Sequence, residues 1–294
     1  MEPIPYDKRN GKIWFNGQVI DWQDAKLHVL THGLHYGSCV FEGERVYNGE
    51  IFKLREHTER LIYSAKRMGF EIPYTADEID KACNEIIKIQ KVVNGYVRPV
   101  AWRGSEMMAI SAQRNKIHFA IATWEWGSYF DPKLKKNGIK LNISKWRRPA
   151  PNTIPWDTKA AGLYMICTLS KHEAEKDGYN DSLMLDHEDN VAEATGANIF
   201  FIDEKKKELH TPIPDSFLDG ITRRTIIDIA KKKGFKINER KIELPELKNF
   251  DSCFLTGTAA EVTPVSQIGD YKFKVSSSIG DFFDKYLEIV NKKV

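Results

Sequence analysis

The sequence combines 294 residues with 44 Lys and Arg, 41 Asp and Glu, and a formal net charge of +3, too small for the basic surface of a typical nucleic-acid-binding protein. Hydrophobic residues make up 41% and charged residues 29%, as in soluble globular proteins, and no apolar run approaches the roughly 18 residues of a membrane span. The length favours two domains over one.

Hairpin signals and helix signals alternate in the first part of the chain. Asn-Gly pairs at 16–17 and 48–49 lie between apolar runs, and this dipeptide favours the positive φ angles of tight hairpin turns. Apolar periodicity then predicts helices over about 55–68 and 76–93 and strands at Tyr96–Trp102 and Ile117–Trp126. We therefore predict an N-terminal α/β domain over 1–126.

A segment rich in Gly, Pro and charge over 127–138 is the predicted interdomain loop. The C-terminal domain is expected over 139–294. Its predicted elements are a strand at Ile139–Trp146, a helix over about 160–177, strands near 182–186 and 198–202, a helix from Ile221 to Lys233 that ends at Gly234, strands near 236–242 and 252–256, and a helix near 280–292.

Cysteines and histidines give no metal signature. The four cysteines contain no CxxC pair, which argues against a zinc site and a disulfide framework. His28, His32 and His35 have helical spacing but no carboxylate or cysteine close by, so we expect them to bond backbone groups and predict no metal. The N-terminus lacks the pattern of a secretion signal, and we expect a cytoplasmic protein.

Lys159 is the strongest candidate for chemistry. Ala160, Ala161 and Gly162 follow it and would let a flat ligand approach, and an amine among apolar groups tends to lose its proton and become nucleophilic. An isolated lysine is usually a surface residue, but Tyr164 and Glu193 accompany this one. Lys159 is therefore a candidate for chemistry only together with Tyr164 and Glu193.

A pyridoxal phosphate enzyme needs an amine, a carboxylate for the pyridine nitrogen, a donor to the ring oxygen and a phosphate cradle. Lys159, Glu193 and Tyr164 are candidates for the first three. Helix N-termini bind anions, so the helix start at 220–222 is a candidate cradle, and the small-residue turn at 256–260 is a second. Each piece alone is weak evidence.

Several motifs together resemble a known family. The segments around Lys159, at 193–198 (EATGAN), at 220–223 (GITR) and at 254–265 (FLTGTAAEVTPV) resemble the class IV, fold-type IV pyridoxal-phosphate aminotransferases. The motifs LHYG (34–37), VFEG (40–43) and YVRP (96–99) resemble the branched-chain amino acid aminotransferases. The resemblance implies an α+β, two-domain fold with a smaller N-terminal α/β lobe and a larger C-terminal lobe around a barrel-like β-core.

The resemblance also implies roles for individual residues. Lys159 would bind the cofactor and move the substrate proton, Glu193 would hold the pyridine nitrogen, and Tyr164 the ring oxygen. The phosphate would be held by Arg60, Ile221, Thr222 and Thr258. The substrate pocket would include Tyr36, Phe41, Tyr96, Ile110, Trp126 and Tyr129, with Arg98 for the distal carboxylate of glutamate and Thr258 and Ala259 for the α-carboxylate.

The expected reaction is transamination between branched-chain L-amino acids and 2-oxoglutarate, in a homodimer or hexamer in which Tyr36 reaches a neighbouring subunit. Alternatives on the same fold are a D-amino-acid or amine transaminase and 4-amino-4-deoxychorismate lyase, and a non-enzymatic binding module is a further alternative. Leu163 and Ala194 stand where the family more often has Asn and Gly, and the 102–114 segment is individual. These departures concern substrate preference.

Overall fold

A computed structural model describes residues 4–127 and 136–292, which group into two compact units. The first unit comprises the described residues up to Gly127 together with Thr158–Gly162. The second comprises the described residues from 136 to Asp157 and Leu163–Lys292. Most of the predicted interdomain loop, including Tyr129, lies outside the described residues, and the predicted bounds at 126 and 139 stay predictions.

The first unit is an antiparallel sheet with helices. Its strands follow the order β2-β1-β7-β6-β4-β5, and β3 pairs with β6. The helix α3 packs against β1, β6 and β7, and α2 packs against α3. The elements are β1 (Lys12–Phe15), β2 (Gln18–Asp21), α1 (His32–Tyr36), β3 (Cys39–Phe41), β4 (Glu44–Tyr47), β5 (Glu50–Ile51), α2 (Leu54–Arg67), α3 (Ala76–Ile89), β6 (Gly95–Arg103) and β7 (Ile117–Glu125).

Both predicted hairpin turns are present. Asn16 and Gly17 have φ angles of 50° and 89°, and Asn48 and Gly49 have φ angles of 52° and 85°. Two successive positive φ angles are the signature of the type I′ turn, whose twist matches that of the flanking strands. The Asn-Gly pairs therefore set the register of β1 against β2 and of β4 against β5.

The second unit is built on a nine-stranded sheet, six of whose strands close into a ring in the order β8-β9-β10-β11-β14-β15 and back to β8. The elements are β8 (Ile139–Arg147), α4 (Met165–Lys176), β9 (Asp181–Leu185), β10 (Val191–Ala194), β11 (Asn198–Asp203), β12 (Glu208–Thr211), α5 (Ile221–Lys232), β13 (Lys236–Glu239), β14 (Ser252–Gly257), β15 (Glu261–Ile268), β16 (Tyr271–Lys272) and α6 (Ser277–Val290). This ring confirms the predicted barrel-like β-core and the α+β class.

Four strands of the ring, β9, β10, β11 and β14, are buried on both faces. Ile199 and Phe201 belong to one core cluster, whereas Phe200, on the opposite face of the same strand, stacks on Phe254 at 5.0 Å. Phe254 in turn meets Phe282 of α6, with ring centres 5.8 Å apart. Helices therefore cover the outside of the ring, which explains why these strands read as continuous apolar runs.

Several elements differ from the sequence-based prediction. The helix predicted from residue 160 begins at Met165, after a 3-10 turn at Ala161–Tyr164, because Ala160 forms a bridge with Val40 of β3 instead. The short elements α1, β10, β12 and β16 were not predicted, and neither was the longer strand β15. It contains Pro264, paired with Phe254, and a proline inside an apolar run argues against a central strand.

None of the helices in the described part of the chain is long and apolar enough to cross a membrane.

Candidate active site

The backbone of Lys159 is fixed from two sides within the first unit. Its N–H donates to Ser64 Oγ on α2 at 3.0 Å, and its carbonyl accepts from the Phe41 N–H of β3 at 3.1 Å. The Nζ atom lies 5.0 Å from the centre of the Phe41 ring. A lysine on irregular backbone is therefore placed as firmly as one in a strand, with its amine at an aromatic face.

Further predicted residues of the first unit gather around the same ring. The Arg98 guanidinium carbon lies 4.7 Å from the Phe41 ring centre and 5.3 Å from that of Tyr96. Tyr96 meets Trp126 edge to face at 4.6 Å. Phe41, Tyr96, Arg98 and Trp126 thus form one wall near Lys159, and their assignment to the substrate pocket stays a prediction.

Two features of this wall are the buried Arg98 Nε atom and the space that Gly43 leaves for Tyr96. The Nε atom of Arg98 is buried without a hydrogen-bond partner among the described residues, and an orphaned donor of this kind is expensive unless a ligand supplies an acceptor. Gly43 makes room for Tyr96, since a Cβ there would lie 1.8 Å from the Tyr96 hydroxyl. The position of Tyr96 therefore requires a residue without a side chain at the glycine of the VFEG motif.

Arg60 is held by a fully buried carboxylate. Glu42 Oε1 accepts from Arg60 Nε at 2.7 Å, and Glu42 Oε2 accepts from Arg60 Nη2 at 2.9 Å. Glu42 Oε2 also contacts His57 Nδ1 at 2.7 Å. A side-on bidentate pair fixes the plane of the guanidinium and directs the remaining N–H groups of Arg60 away from Glu42.

The protonation states of this cluster follow from its charges. Burial opposes ionisation of Glu42, but the neighbouring Arg60 and His57 outweigh it and hold the pKa of Glu42 well below its usual range. Burial lowers the pKa of His57, which is therefore neutral. Because an ionised carboxylate only accepts hydrogen bonds, His57 must donate through Nδ1.

The pKa of Glu44, two residues from Glu42, is shifted in the opposite direction. It is fully buried, and neither carboxylate oxygen has a hydrogen-bond partner among the described residues. Burial, followed by the charges of Glu42 and Asp80, raises the pKa of Glu44 well above its usual range. We therefore assign Glu44 as a neutral, protonated acid at pH 7.

In the second unit, Glu193 on β10 is held by two neighbours. Asn198 Nδ2 lies 3.3 Å from Glu193 Oε2, and Arg148 Nε lies 3.5 Å from Glu193 Oε1. The side chains of Arg148 and Glu193 are only 5% and 10% exposed. Charges buried to this degree persist when they are paired.

Asn198 also ties Glu193 to the start of α5. Its Oδ1 accepts from the Gly220 N–H at 3.1 Å, and its Nδ2 donates to the Leu218 carbonyl at 3.0 Å. A Cβ at position 220 would lie 2.2 Å from Asn198 Oδ1, so only glycine fits. The N-terminus of α5, with Ile221 and Thr222 in its first turn, is thus fixed relative to Glu193.

The second phosphate candidate lies at the same end of the ring. Asn198 pairs with Thr256 across β11 and β14, so the turn after β14, which carries Thr258 and Ala259, follows directly. A Cβ added at Gly257 would lie 3.5 Å from the Ala197 Cβ, so these two turns are close neighbours. The N-terminus of a twelve-residue helix and a turn of small residues therefore meet beside Glu193, an arrangement suited to an anion.

A family model for amino-transferase class IV matches residues 39–268. A probable branched-chain-amino-acid aminotransferase from Rickettsia felis is 45% identical over 256 residues, which cover 87% of this chain and 86% of the relative. This chain belongs to the class IV aminotransferases. The resemblance predicted from the motifs is therefore confirmed.

Solved structures agree with this class IV assignment. The branched-chain aminotransferase from Thermoproteus uzoniensis with norvaline is 35% identical, with a TM-score of 0.91 over 96% of this chain and 95% of that one. The branched-chain amino acid aminotransferase from Thermobaculum terrenum in its PLP-bound holo-form is 28% identical, with a TM-score of 0.87 over 96% of this chain and 94% of that one. The fold-type IV architecture is thus shared over nearly the whole chain.

Some predicted residues of this aminotransferase lie elsewhere. Tyr36 stacks on His32 at 4.6 Å and is 47% exposed, and Ile110 is 90% exposed. Tyr129 lies outside the described residues, and Tyr164 ends the 3-10 turn in a half-buried position. The roles of these residues stay predictions.

The three histidines considered for a metal all contact the backbone. The Leu30 N–H donates to His28 Nδ1 at 3.1 Å, and His32 Nε2 and His35 Nε2 lie 2.9 Å from the carbonyls of Ala109 and Val29. No cluster of three or more potential metal ligands occurs within 4–127 and 136–292.

Four side chains that hold the predicted site residues in place, directly or through one another, were not predicted from the sequence: Glu42, Asn198, Arg148 and His57. Glu42 and Asn198 were inside quoted motifs, so their motif membership was an available signal for a supporting role. Arg148 follows the predicted strand at Ile139–Trp146 and carried no such signal. His57 could not have been found, because its contact with Glu42 requires α2 to pack against β3.

Glu44→Gln should increase stability by an amount that grows with pH. Unfolding the natural chain releases a proton from Glu44 above pH 4.5, so its stability falls by up to about 1.4 kcal/mol per pH unit, and the neutral amide removes this loss. Urea unfolding at pH 5.5 and 7.5 measures the difference, with the exposed Glu50→Gln as control. Equal effects of Glu44→Gln at both pH values would show that Glu44 is ionised in the folded state.

Proposed function

We propose that this class IV aminotransferase transfers an amino group between branched-chain L-amino acids (leucine, isoleucine and valine) and 2-oxoglutarate, giving branched 2-oxo acids and L-glutamate. The cofactor is pyridoxal 5'-phosphate. The proposal rests chiefly on the position of Lys159 beside an aromatic wall that also carries the Arg98 guanidinium. The branched-chain names of the relatives support the same substrates.

The residues present fit the cofactor. A Cβ at position 220 would collide with Asn198, and the first-turn N–H groups of α5 have no partner within the helix, so this helix start suits the phosphate. Ile221, Thr222, Thr258 and Arg60 would hold the phosphate, Glu193 would bind the pyridine nitrogen, and Tyr164 would donate to the ring oxygen. When bound, the cofactor supplies an electron sink for negative charge at the substrate α-carbon.

The protein's own contribution is proton transfer and orientation. The Lys159 amine would hold the cofactor and, when free, would act as the base that takes the proton from the substrate α-carbon and as the acid that gives a proton back to the α-carbon in the reverse direction. Glu193 keeps a proton at the pyridine nitrogen. Its fixed position between Asn198 and Arg148 means that no reorganisation is needed when charge develops.

One pocket has to accept two kinds of substrate side chain. The faces of Phe41, Tyr96 and Trp126 offer apolar surface to a branched chain, and the orphaned Arg98 Nε offers a charge-assisted hydrogen bond to the distal carboxylate of glutamate. The turn amides near Thr258 and Ala259 take the α-carboxylate. Substrate binding at both ends orients the α-carbon towards Lys159.

The departures at 163 and 194 do not alter this scheme. Leu163 is 4% exposed and Ala194 is fully buried, so both side chains pack inside the second unit.

The functional form is a cytoplasmic homodimer or hexamer. Exposed apolar side chains cluster in sequence around α1, with Val29, Leu34 and Tyr36 at 71%, 64% and 47% exposure, and Ile110 is 90% exposed. Large apolar side chains exposed in this way mark contact surfaces. Tyr36 completes the substrate wall of a neighbouring subunit.

Replacing Lys159 by alanine should abolish both cofactor attachment and transamination. Borohydride reduction of the natural protein with pyridoxal phosphate fixes the cofactor to Lys159, and Lys159→Ala loses at least about 10²-fold in glutamate formation from L-leucine and 2-oxoglutarate. The matched control is the exposed Lys140→Ala, which keeps both properties. Undiminished turnover of Lys159→Ala would refute the assigned role.

Arg98→Met should separate the two half-reactions. Loss of a charge-assisted hydrogen bond of about 1.5–3 kcal/mol raises the KM for 2-oxoglutarate roughly ten- to a hundredfold, whereas the KM for L-leucine changes little. Steady-state kinetics with each substrate varied in turn measure this, with the exposed Arg67→Met as control. An equal rise in both KM values contradicts a role specific to the distal carboxylate.

Mixed oligomers test the shared pocket. Tyr36→Ala and Lys159→Ala chains, each poorly active alone, should regain roughly a quarter of natural activity when co-assembled, since half of the dimers then carry one intact site. Activity of the mixture equal to the sum of its parts would place Tyr36 in the pocket of its own subunit.

A further inference from the structure

Arg148 is a buried cation next to the carboxylate that serves the pyridine nitrogen. Its Nε atom lies 3.5 Å from Glu193 Oε1 and 3.4 Å from the Ser216 carbonyl, and its Nη1 atom donates to Cys167 Sγ at 3.3 Å. The residue as a whole is 4% exposed. Three contacts on different segments hold the guanidinium in place, although none of them is a bidentate pair.

The surroundings direct the charge of Arg148 to Glu193. Burial, opposed by Arg148, raises the pKa of the Cys167 thiol to about 11, so this contact is neutral and does not compete for the cation. Asp181 also lies near Cys167, but it accepts hydrogen bonds from Thr195 Oγ1 at 2.6 Å and from the backbone N–H of Ser182 at 2.8 Å. Burial raises the pKa of Asp181, which weakens it as a rival anion.

We propose that Arg148 is a positioning residue that stabilises Glu193 as a carboxylate and thereby keeps the shared proton on the pyridine nitrogen. This inference rests on the proposed role of Glu193. A proton between a carboxylate and a pyridine nitrogen can reside on either atom, and no bond to carbon changes. The cation contacts the carboxylate itself, so it lowers the proton affinity of Glu193 more than that of the ring beyond it.

Asn198 and Arg148 contact different oxygens of the Glu193 carboxylate. The Asn198 amide lies at Oε2, and the Arg148 guanidinium lies at Oε1. Asn198 is neutral and can orient Glu193 without changing its charge. The two neighbours therefore have separable effects, orientation from Asn198 and ionisation from Arg148.

The test uses holoenzyme that contains pyridoxal phosphate labelled with ¹⁵N in the ring, whose nitrogen chemical shift reports protonation. Arg148→Gln should shift the equilibrium about tenfold towards the proton on Glu193, and the resonance moves towards that of unprotonated pyridine. Arg148→Lys, which keeps a positive charge, should restore part of the natural shift. If the Gln variant does not fold, Arg148→Met replaces it.

Two further variants make the result specific. Arg147→Met removes the neighbouring cation, which is 38% exposed and pairs with Asp189 at 2.6 Å, and should leave the ring nitrogen unchanged. Glu193→Gln should abolish ring protonation. If Glu193→Gln alters the resonance and a folded Arg148→Gln or Arg148→Met does not, the inference about Arg148 is wrong. If Glu193→Gln has no effect, the role of Glu193 itself fails.

Discussion

The ion pair between Glu42 and Arg60 is the interaction on which the arrangement of the first unit depends. A carboxylate with no exposed surface keeps its charge only when cations and donors surround it, and Arg60 and His57 supply them. The same contacts bind α2 to the segment after β3. Because α2 also carries Ser64, which accepts from the Lys159 backbone, the lysine and the arginine are fixed by one helix.

In the second unit, the buried carboxylate of Glu193 is likewise paired with a cation. Arg148 balances the buried charge, and Asn198 connects Glu193 to the N-terminus of α5 through Gly220. The closed ring supplies the rigidity, because strands covered on both faces cannot shift without exposing Phe200 or Phe254. The Glu193 carboxylate and the N-terminus of α5 are thus held by one side chain, that of Asn198.

Much of this could be predicted from the sequence. The Asn-Gly turns, the helices α2 and α3 and the motif residues of the wall follow from local rules or from the family resemblance. Arg148 and His57 could not be predicted, because their roles arise from contacts between segments distant in the chain. The strand β15 contains Pro264, a residue that local rules do not expect in a central strand. The helical pattern after Lys159 does not begin a helix at 160, because Ala160 pairs with Val40 instead.

We propose that Lys159 and Glu193 bind one molecule of pyridoxal phosphate, and a crystal structure of the protein grown with the cofactor is the decisive measurement. We expect electron density continuous from Lys159 Nζ to the cofactor, a hydrogen bond between the ring nitrogen and Glu193, and the phosphate at Thr222 and Thr258. Cofactor joined to a different lysine, or a ring nitrogen without contact to Glu193, would contradict it.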